Sequence, residues 1–282
     1  MRRLAKVDRA YPRALLDLRD PPDPLWVDGD IGVVQRRGVS IVGTRRMTPY
    51  GARVARELAV AFASAGIVVV SGLAQGIDSA AHDGAIEGGG ATVAVLGAGI
   101  GSFLEEIGGR RRVLAHRIRA SGALVSEFPS NVPAQTWTFA KRDATIAALG
   151  QITVVVEAPE NSGALITADE ARRLGRLVYA VPGPLGARTS LGTNALIADG
   201  RARAVTSAAM LLAAAGARPS APPSERDQVV LRILDALAAG PADPDTLARR
   251  LGLPPSALAA ALAGLVIRGE LVSGLDGRLA RR

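Results

Sequence analysis

The chain places arginines where glycines would let a phosphate approach the backbone. In SIVGTRRMTPYG a β-branched run meets Gly43-Thr44-Arg45-Arg46 and then a helix. A guanidinium fork matches a phosphate through two parallel hydrogen bonds, and a helix N-terminus offers free N–H groups to an anion. Three further stretches repeat the order strand, glycine, helix. They are VVVSGLAQGIDSAAH with Ser71-Gly72 and Gly76, VVVEAPENSGALITADEA with Asn161-Ser162-Gly163, and VYAVPGPLGARTSLGTNALI with Gly192-Thr193-Asn194. One such turn alone is more often structural. Four on one sheet edge, one of them carrying paired arginines, describe a phosphate-binding rim. Lys141-Arg142 adds basic groups in WTFAKRDATIAAL, beside Trp137 and Phe139. Cations beside rings suit a single strand, where charge holds the backbone and rings stack on bases. The same rings could equally fill the core.

Other chemistries find less support. There is no cysteine, which excludes disulfides, thiol nucleophiles and Cys-ligated zinc. The two histidines, His82 and His116, belong to no Ser/His/Asp or metal-ligand spacing. Asp78 near a helix start and Glu157 at a strand end read either as caps or as ligand-facing acids. Gly97-Ala98-Gly99 in TVAVLGAGIGSF imitates a dinucleotide fingerprint, but the third glycine would fall at Ser102. No catalytic set, cofactor or metal is expected.

These turns need a scaffold. Apolar runs at Val39–Val42, Ile67–Ser71, Thr92–Leu96, Ala123–Ser126, Ile152–Glu157 and Leu177–Val181 are mostly continuous rather than alternating, as in strands covered on both faces. Helical stretches lie between and after them: Tyr50–Ala65, Ser79–Glu87, Glu106–Arg119, Thr138–Leu149, Ala164–Leu174 and Ala195–Asp199. The alternation predicts a doubly wound α/β fold with a mostly parallel sheet, whose ligands bind beyond the carboxyl ends of the strands. The rhythm stops at AGARPSAPPS, so we expect one domain over residues 1–214, a linker over 215–224 and a second unit over 225–282. That unit reads as three helices and a hairpin turning at Asp276-Gly277, a winged-helix outline.

The formal charge of +8 points to an anionic partner, although arginine supplies all but two of the basic residues, Lys6 and Lys141. The excess is local: residues 1–56 hold twelve Arg or Lys against six Asp, and the rest of the chain is nearly balanced. The N-terminus lacks an apolar run after its basic residues, and no apolar window is long enough to span a bilayer. We therefore expect a cytoplasmic protein with no membrane association.

The ordered series SIVGTRRMTPYG, VVSGLAQGIDSAAHDGAI, TVAVLGAGI, LVSEFP, FAKRDATIAAL, VVVEAPENSGALITADEARRLGRLVYAVPG and SLGTNALIADG closely resembles the DprA/Smf family, from about Tyr11 to Leu212. The tail resembles the winged helix that many members carry. The resemblance implies an extended Rossmann-like fold that binds single-stranded DNA without catalysis. It implies a role in natural transformation, where the family protects incoming strands and helps load the RecA recombinase onto DNA covered by single-strand-binding protein. It also implies a homodimer built around Gly192–Arg203. Carried over by motif, the DNA-contacting candidates are Gly43, Thr44, Arg45 and Arg46, Ser71 and Gly72, Lys141 and Arg142, and Ser162 and Gly163. Two stretches depart from the family. The pattern F-P-x-R-N-R appears as Phe139-Ala140-Lys141-Arg142-Asp143-Ala144, and Phe103-Leu104-Glu105-Glu106 replaces a Tyr-Pro-basic segment, with Arg110–Arg112 as substitutes from the next helix. The alternative reading is a phosphoribohydrolase-like nucleotide-processing enzyme. Its Pro-Gly-Gly-x-Gly-Thr-x-x-Glu loop is matched only by Pro182-Gly183 and a distant Gly192-Thr193, with no following Glu.

Overall fold

The computed structural model describes residues 1–217, 225–238, 240–267, 269–274 and 277–281. They form two compact units, Met1–Arg218 and Pro219–Arg282.

In the first unit the strands are β1 (Arg2–Leu4), β2 (Leu25–Gly29), β3 (Gly38–Val42), β4 (Val68–Ser71), β5 (Thr92–Leu96), β6 (Ala123–Ser126), β7 (Gly150–Val155), β8 (Leu177–Ala180) and β9 (Arg203–Ala204). The helices are α1 (Pro49–Ser64), α2 (Ile77–Glu87), α3 (Ile100–Glu106), α4 (Gly109–Ser121), α5 (Thr136–Leu149), α6 (Gly163–Arg173), α7 (Leu191–Ala198) and α8 (Ala208–Ala214). One sheet runs β1-β2-β6-β5-β4-β3-β7-β8-β9. From β6 to β9 every pair is parallel, whereas β1–β2 and β2–β6 are antiparallel. The chain leaves β3 toward β4 on one side and returns to β7 on the other, so the strand order reverses between β3 and β7. A crevice opens at such a switch point, beyond the carboxyl ends of the strands.

The continuous apolar runs behave as covered strands should. Val42, Val70 and Val155 face one core with Ile146, Ala164 and Ala168 of α5 and α6. Val39, Ile41, Val69 and Val154 face a second core with Ala55, Phe62 and Ala81 of α1 and α2. A third core joins Leu96 and Leu124 to Phe103, Leu114 and Ile118 of α3 and α4.

The structure departs from the sequence reading in three places. The stretch before residue 37 contributes two antiparallel strands, anchored by fully buried Tyr11, whose hydroxyl donates to Pro22 O at 2.7 Å. The helix expected over Glu106–Arg119 begins three residues later, as α4 at Gly109 with φ +54°, and a separate unexpected helix, α3, precedes it and ends at Glu106. Part of the expected linker folds back: Ala215 and Ala217 donate to Leu211 O and Leu212 O of α8. Linker residues 218–224 lie outside the described residues.

The second unit holds α9 (Glu225–Ala238), α10 (Pro244–Leu251), α11 (Pro255–Ile267) and a hairpin of β10 (Leu271–Ser273) with β11 (Leu279–Arg281). Asp243 caps α10 by accepting from Thr246 N, and Gly252 ends it in the left-handed conformation. This is a winged-helix arrangement. Of the expected turn pair, Gly277 has φ +74° and Asp276 lies outside the described residues.

Candidate nucleic-acid interface

An open cleft of about 620 Å³ lies at the β3/β7 switch point. It gathers Gly43, Thr44, Arg45 and Arg46 after β3, Phe139 and Arg142 of α5, and Ser162 and Gly163 at the start of α6. Three separate segments of the sequence thus meet in one place.

Backbone contacts fix the β3 turn. Thr44 N donates to Glu157 O at 2.7 Å, and Ile77 N donates to Thr44 O at 3.2 Å. Gly76 makes the second contact possible: it sits at φ +88°, and a Cβ there would stand 2.3 Å from Thr44 O. Glu157 is buried and faces away from a ligand role. Its carboxylate accepts from the N–H and hydroxyl of Thr48, and Thr48 in turn caps α1 by accepting from Gly51 N at 3.1 Å.

Phe139 is half-buried at the mouth. The guanidinium carbons of Arg45 and Arg142 lie 5.5 and 5.4 Å from its ring centre, within cation–π range. Arg45 and Arg46 are exposed, whereas Arg142 is buried. Arg142 donates from Nε and Nη2 to Asp143 Oδ1 at 3.1 and 2.8 Å, and from Nη1 to Gly72 O at 3.4 Å. The aspartate that replaces the family's asparagine therefore fixes the arginine beside the ring. Burial raises the Asp143 carboxyl, opposed by Arg142.

Asp78 lies behind this pair. Its Oδ2 accepts from Gly72 N at 3.2 Å and from Ala74 N at 3.3 Å, bracketing Leu73. Leu73 is fully buried at φ +51°, a conformation a branched side chain adopts only when its surroundings impose it. Burial pushes Asp78 up to about 6, with the charge of Arg142 acting in the opposite direction. Nothing in the local sequence marked Leu73.

The remaining predicted residues divide. Ser71 is fully buried and its hydroxyl donates to Ile41 O at 2.6 Å, so it joins two strands rather than facing a ligand. Gly72 is buried among Arg142 and Asp78, where a Cβ would stand 2.8 Å from Arg142 Nη1. Lys141 is exposed and pairs with Asp20 at 3.1 Å, outside the cleft lining, and the pairing holds the Asp20 carboxyl below its usual range. Ser162 caps α6 by accepting from Ala164 N, and Gly163 is exposed. Trp137 does not fill the core: it is 52% exposed and meets Phe128 edge-on at 5.3 Å. His82 is fully buried and neutral. Its Nδ1 lies 2.7 Å from Thr92 Oγ1, whose proton goes to Val69 O.

The glycines of the GAG turn have internal reasons. A Cβ on Gly97 would stand 2.6 Å from the Phe139 ring, and one on Gly99 would stand 2.0 Å from Pro129 O. Gly97 thus makes room for Phe139. Among the described residues, no group of three or more His, Asp or Glu could hold a metal, and no helix is long and apolar enough to cross a membrane.

The family model described as DNA recombination-mediator protein A matches residues 2–216. The chain belongs to the DprA/Smf family. The DprA winged helix domain model matches residues 217–274. Protein Smf of Escherichia coli is 40% identical over 192 residues, covering 67% of this chain and 50% of that protein. The chain therefore spans about half the length of that relative. A putative DNA processing protein DprA of Mycobacterium tuberculosis is 38% identical over 269 residues, covering 91% of this chain and 68% of the relative. Among solved structures, DprA from Helicobacter pylori, described for its single-stranded DNA binding mode, aligns with a TM-score of 0.67 at 27% identity, over 75% of this chain and 94% of that one. In this family member the tail's third helix, α11, holds no arginine or lysine.

Proposed function

We propose that this protein binds single-stranded DNA in the cleft at the β3/β7 switch point, as a non-catalytic DNA-processing protein of the DprA type. The observation that carries the reading is the Phe139 ring, half-buried at its mouth and flanked by Arg45 and Arg142. An unpaired base can stack on a ring, and arginines beside it meet the adjoining phosphates. The exposed N-terminus of α6 at Gly163 adds backbone donors for an anion. A duplex offers neither a free base face nor a narrow backbone to such a cleft.

Family membership extends the proposal to biology. The protein protects incoming single strands during natural transformation and helps RecA replace single-strand-binding protein, acting in the cytoplasm as a homodimer that pairs around Gly192–Arg203. The α11 surface, lacking basic residues, leaves the tail a structural or protein-binding part rather than a duplex reader. A nuclease-protection assay combined with RecA ATPase on DNA coated by single-strand-binding protein tests this role. Shielding of the strand and a shortened lag in ATPase onset are expected. Release of free base from a mononucleotide would instead establish the phosphoribohydrolase reading.

A further inference from the structure

A second hollow of about 820 Å³ adjoins the cleft, between α1, the start of α2 and the start of α4. Arg53, Arg56, Arg110 and Arg111 line it. The two hollows share a rim. Arg46 and Ala74 line the cleft, and their chain neighbours Met47 and Gln75 line the groove. The ridge between them is the pair of turns that Gly76 lets come together.

The charges of the groove are unequally compensated. Arg56 is bound to Glu87, and Asp83 is held by Arg117 at 2.6 Å. Arg53 faces Glu57 at 3.7 Å, with both side chains 63% exposed. Arg112 is outside the groove lining and donates to the carbonyls of Ile107 and Glu105, closing the end of α3. Arg110 is exposed and has no hydrogen bond or ion pair among the described residues. Arg111 lies over Phe103 at 5.5 Å and donates from Nε to Leu73 O at 3.2 Å, leaving both terminal nitrogens without an acceptor among the described residues.

The two hollows are also joined electrically. Burial lowers Arg111 from its ordinary value, and the charges of Arg45 and Arg142 lower it further, with Asp78 opposing. Cations of the cleft and the groove therefore repel one another in the free protein. A polyanion lying across both relieves that repulsion.

We propose that the groove holds the continuation of the same single strand: DNA leaving the Phe139 cleft crosses the Met47–Gln75 ridge and lays its sugar-phosphate backbone along Arg110 and Arg111. Met47 is 39% exposed on the ridge, and its thioether gives a base a soft apolar surface. The inference rests on the cleft reading above. It also gives Arg110 and Arg111 a purpose where the chain departs from the family at Phe103–Glu106.

Oligodeoxythymidylates of about six and about twelve nucleotides, titrated by fluorescence anisotropy at several salt concentrations, test this, because each phosphate contact on a single strand contributes about 0.7 to the salt slope. The wild-type protein should show a steeper slope for the longer strand. Arg110→Glu combined with Arg53→Glu should shrink that difference to what Arg111 alone supplies, about 0.7, and leave the short strand's affinity within about twofold. Arg110→Gln, with melting temperatures recorded for every variant, should reduce the difference by about one contact's worth. Unchanged slopes in folded charge-reversed protein, while Arg45→Glu still removes binding, would overturn the groove and leave the cleft standing. Normal binding of both strands by Arg45→Glu would overturn the cleft, and the groove's role with it.

Discussion

Arg45 sets its guanidinium carbon 5.5 Å from the centre of the Phe139 ring, although one residue follows β3 and the other opens α5. This meeting of charge and ring comes from topology: β3 and α5 run into the same switch-point crevice. Arg45→Glu should cost single-strand affinity by about 2–3 kcal/mol or more, the scale of a lost charge-assisted hydrogen bond. The salt slope should also fall by about 0.7. Anisotropy at two salt concentrations checks both numbers.

Phe139→Ala should weaken binding by about 1–3 kcal/mol, the scale of one base stacked on an aromatic ring. Phe139→Tyr keeps a stacking face and should restore most of the affinity. Equal losses in the two variants would mean that the ring only packs against Gly97.

Ser71 and Gly72 separate structure from binding. Ser71→Ala removes the bond to Ile41 O and should cost about 0.5–1.5 kcal/mol of stability with single-strand affinity unchanged. Gly72→Ala forces a methyl against Arg142 and Asp78 and should destabilise by about 1–3 kcal/mol while also displacing Arg142. Urea denaturation beside DNA titration distinguishes the two.

These residues show what a linear reading could reach. The mostly parallel α/β sheet was legible because continuous apolar runs ending in glycine mark covered strands, whereas the strand order that puts the switch point between β3 and β7 was not. Phe139 and Arg142 are three apart, so a helix puts them on one face. Ser71 was misplaced because a hydroxyl at a strand end looks the same whether it faces a ligand or the next strand. The bracketing of Leu73 by Asp78, and the turning of Lys141 to Asp20, depend on segments that meet only in the fold. Strands β1 and β2 were hidden by short length and by neighbouring prolines and aspartates.

Two buried groups give opposite pH dependences. Burial lowers His82 to about 3 from an ordinary 6.5, so the unfolded chain binds a proton that the native protein refuses. Its contribution is complete above about pH 6.5 and is lost as pH falls toward 3. Asp78, raised to about 6, holds its proton longer in the native state, so its ionisation costs stability as pH rises toward 6. Replacing His82 by Gln should flatten the loss of stability between about pH 6.5 and pH 4, and Asp78→Asn should steepen it. Urea midpoints across that range check the signs; parallel curves for all three proteins would contradict them.

The central claim is that Arg45 and Phe139 form a reader of unpaired DNA. Its most direct test is a titration of single-stranded and duplex oligonucleotides of one sequence, at several salt concentrations, against wild-type protein and Arg45→Glu. The wild type should clearly prefer the single strand, by a margin that shrinks as salt rises, and the variant should lose that preference. Equal affinity for both forms, or a preference that survives the substitution in a folded protein, would contradict it.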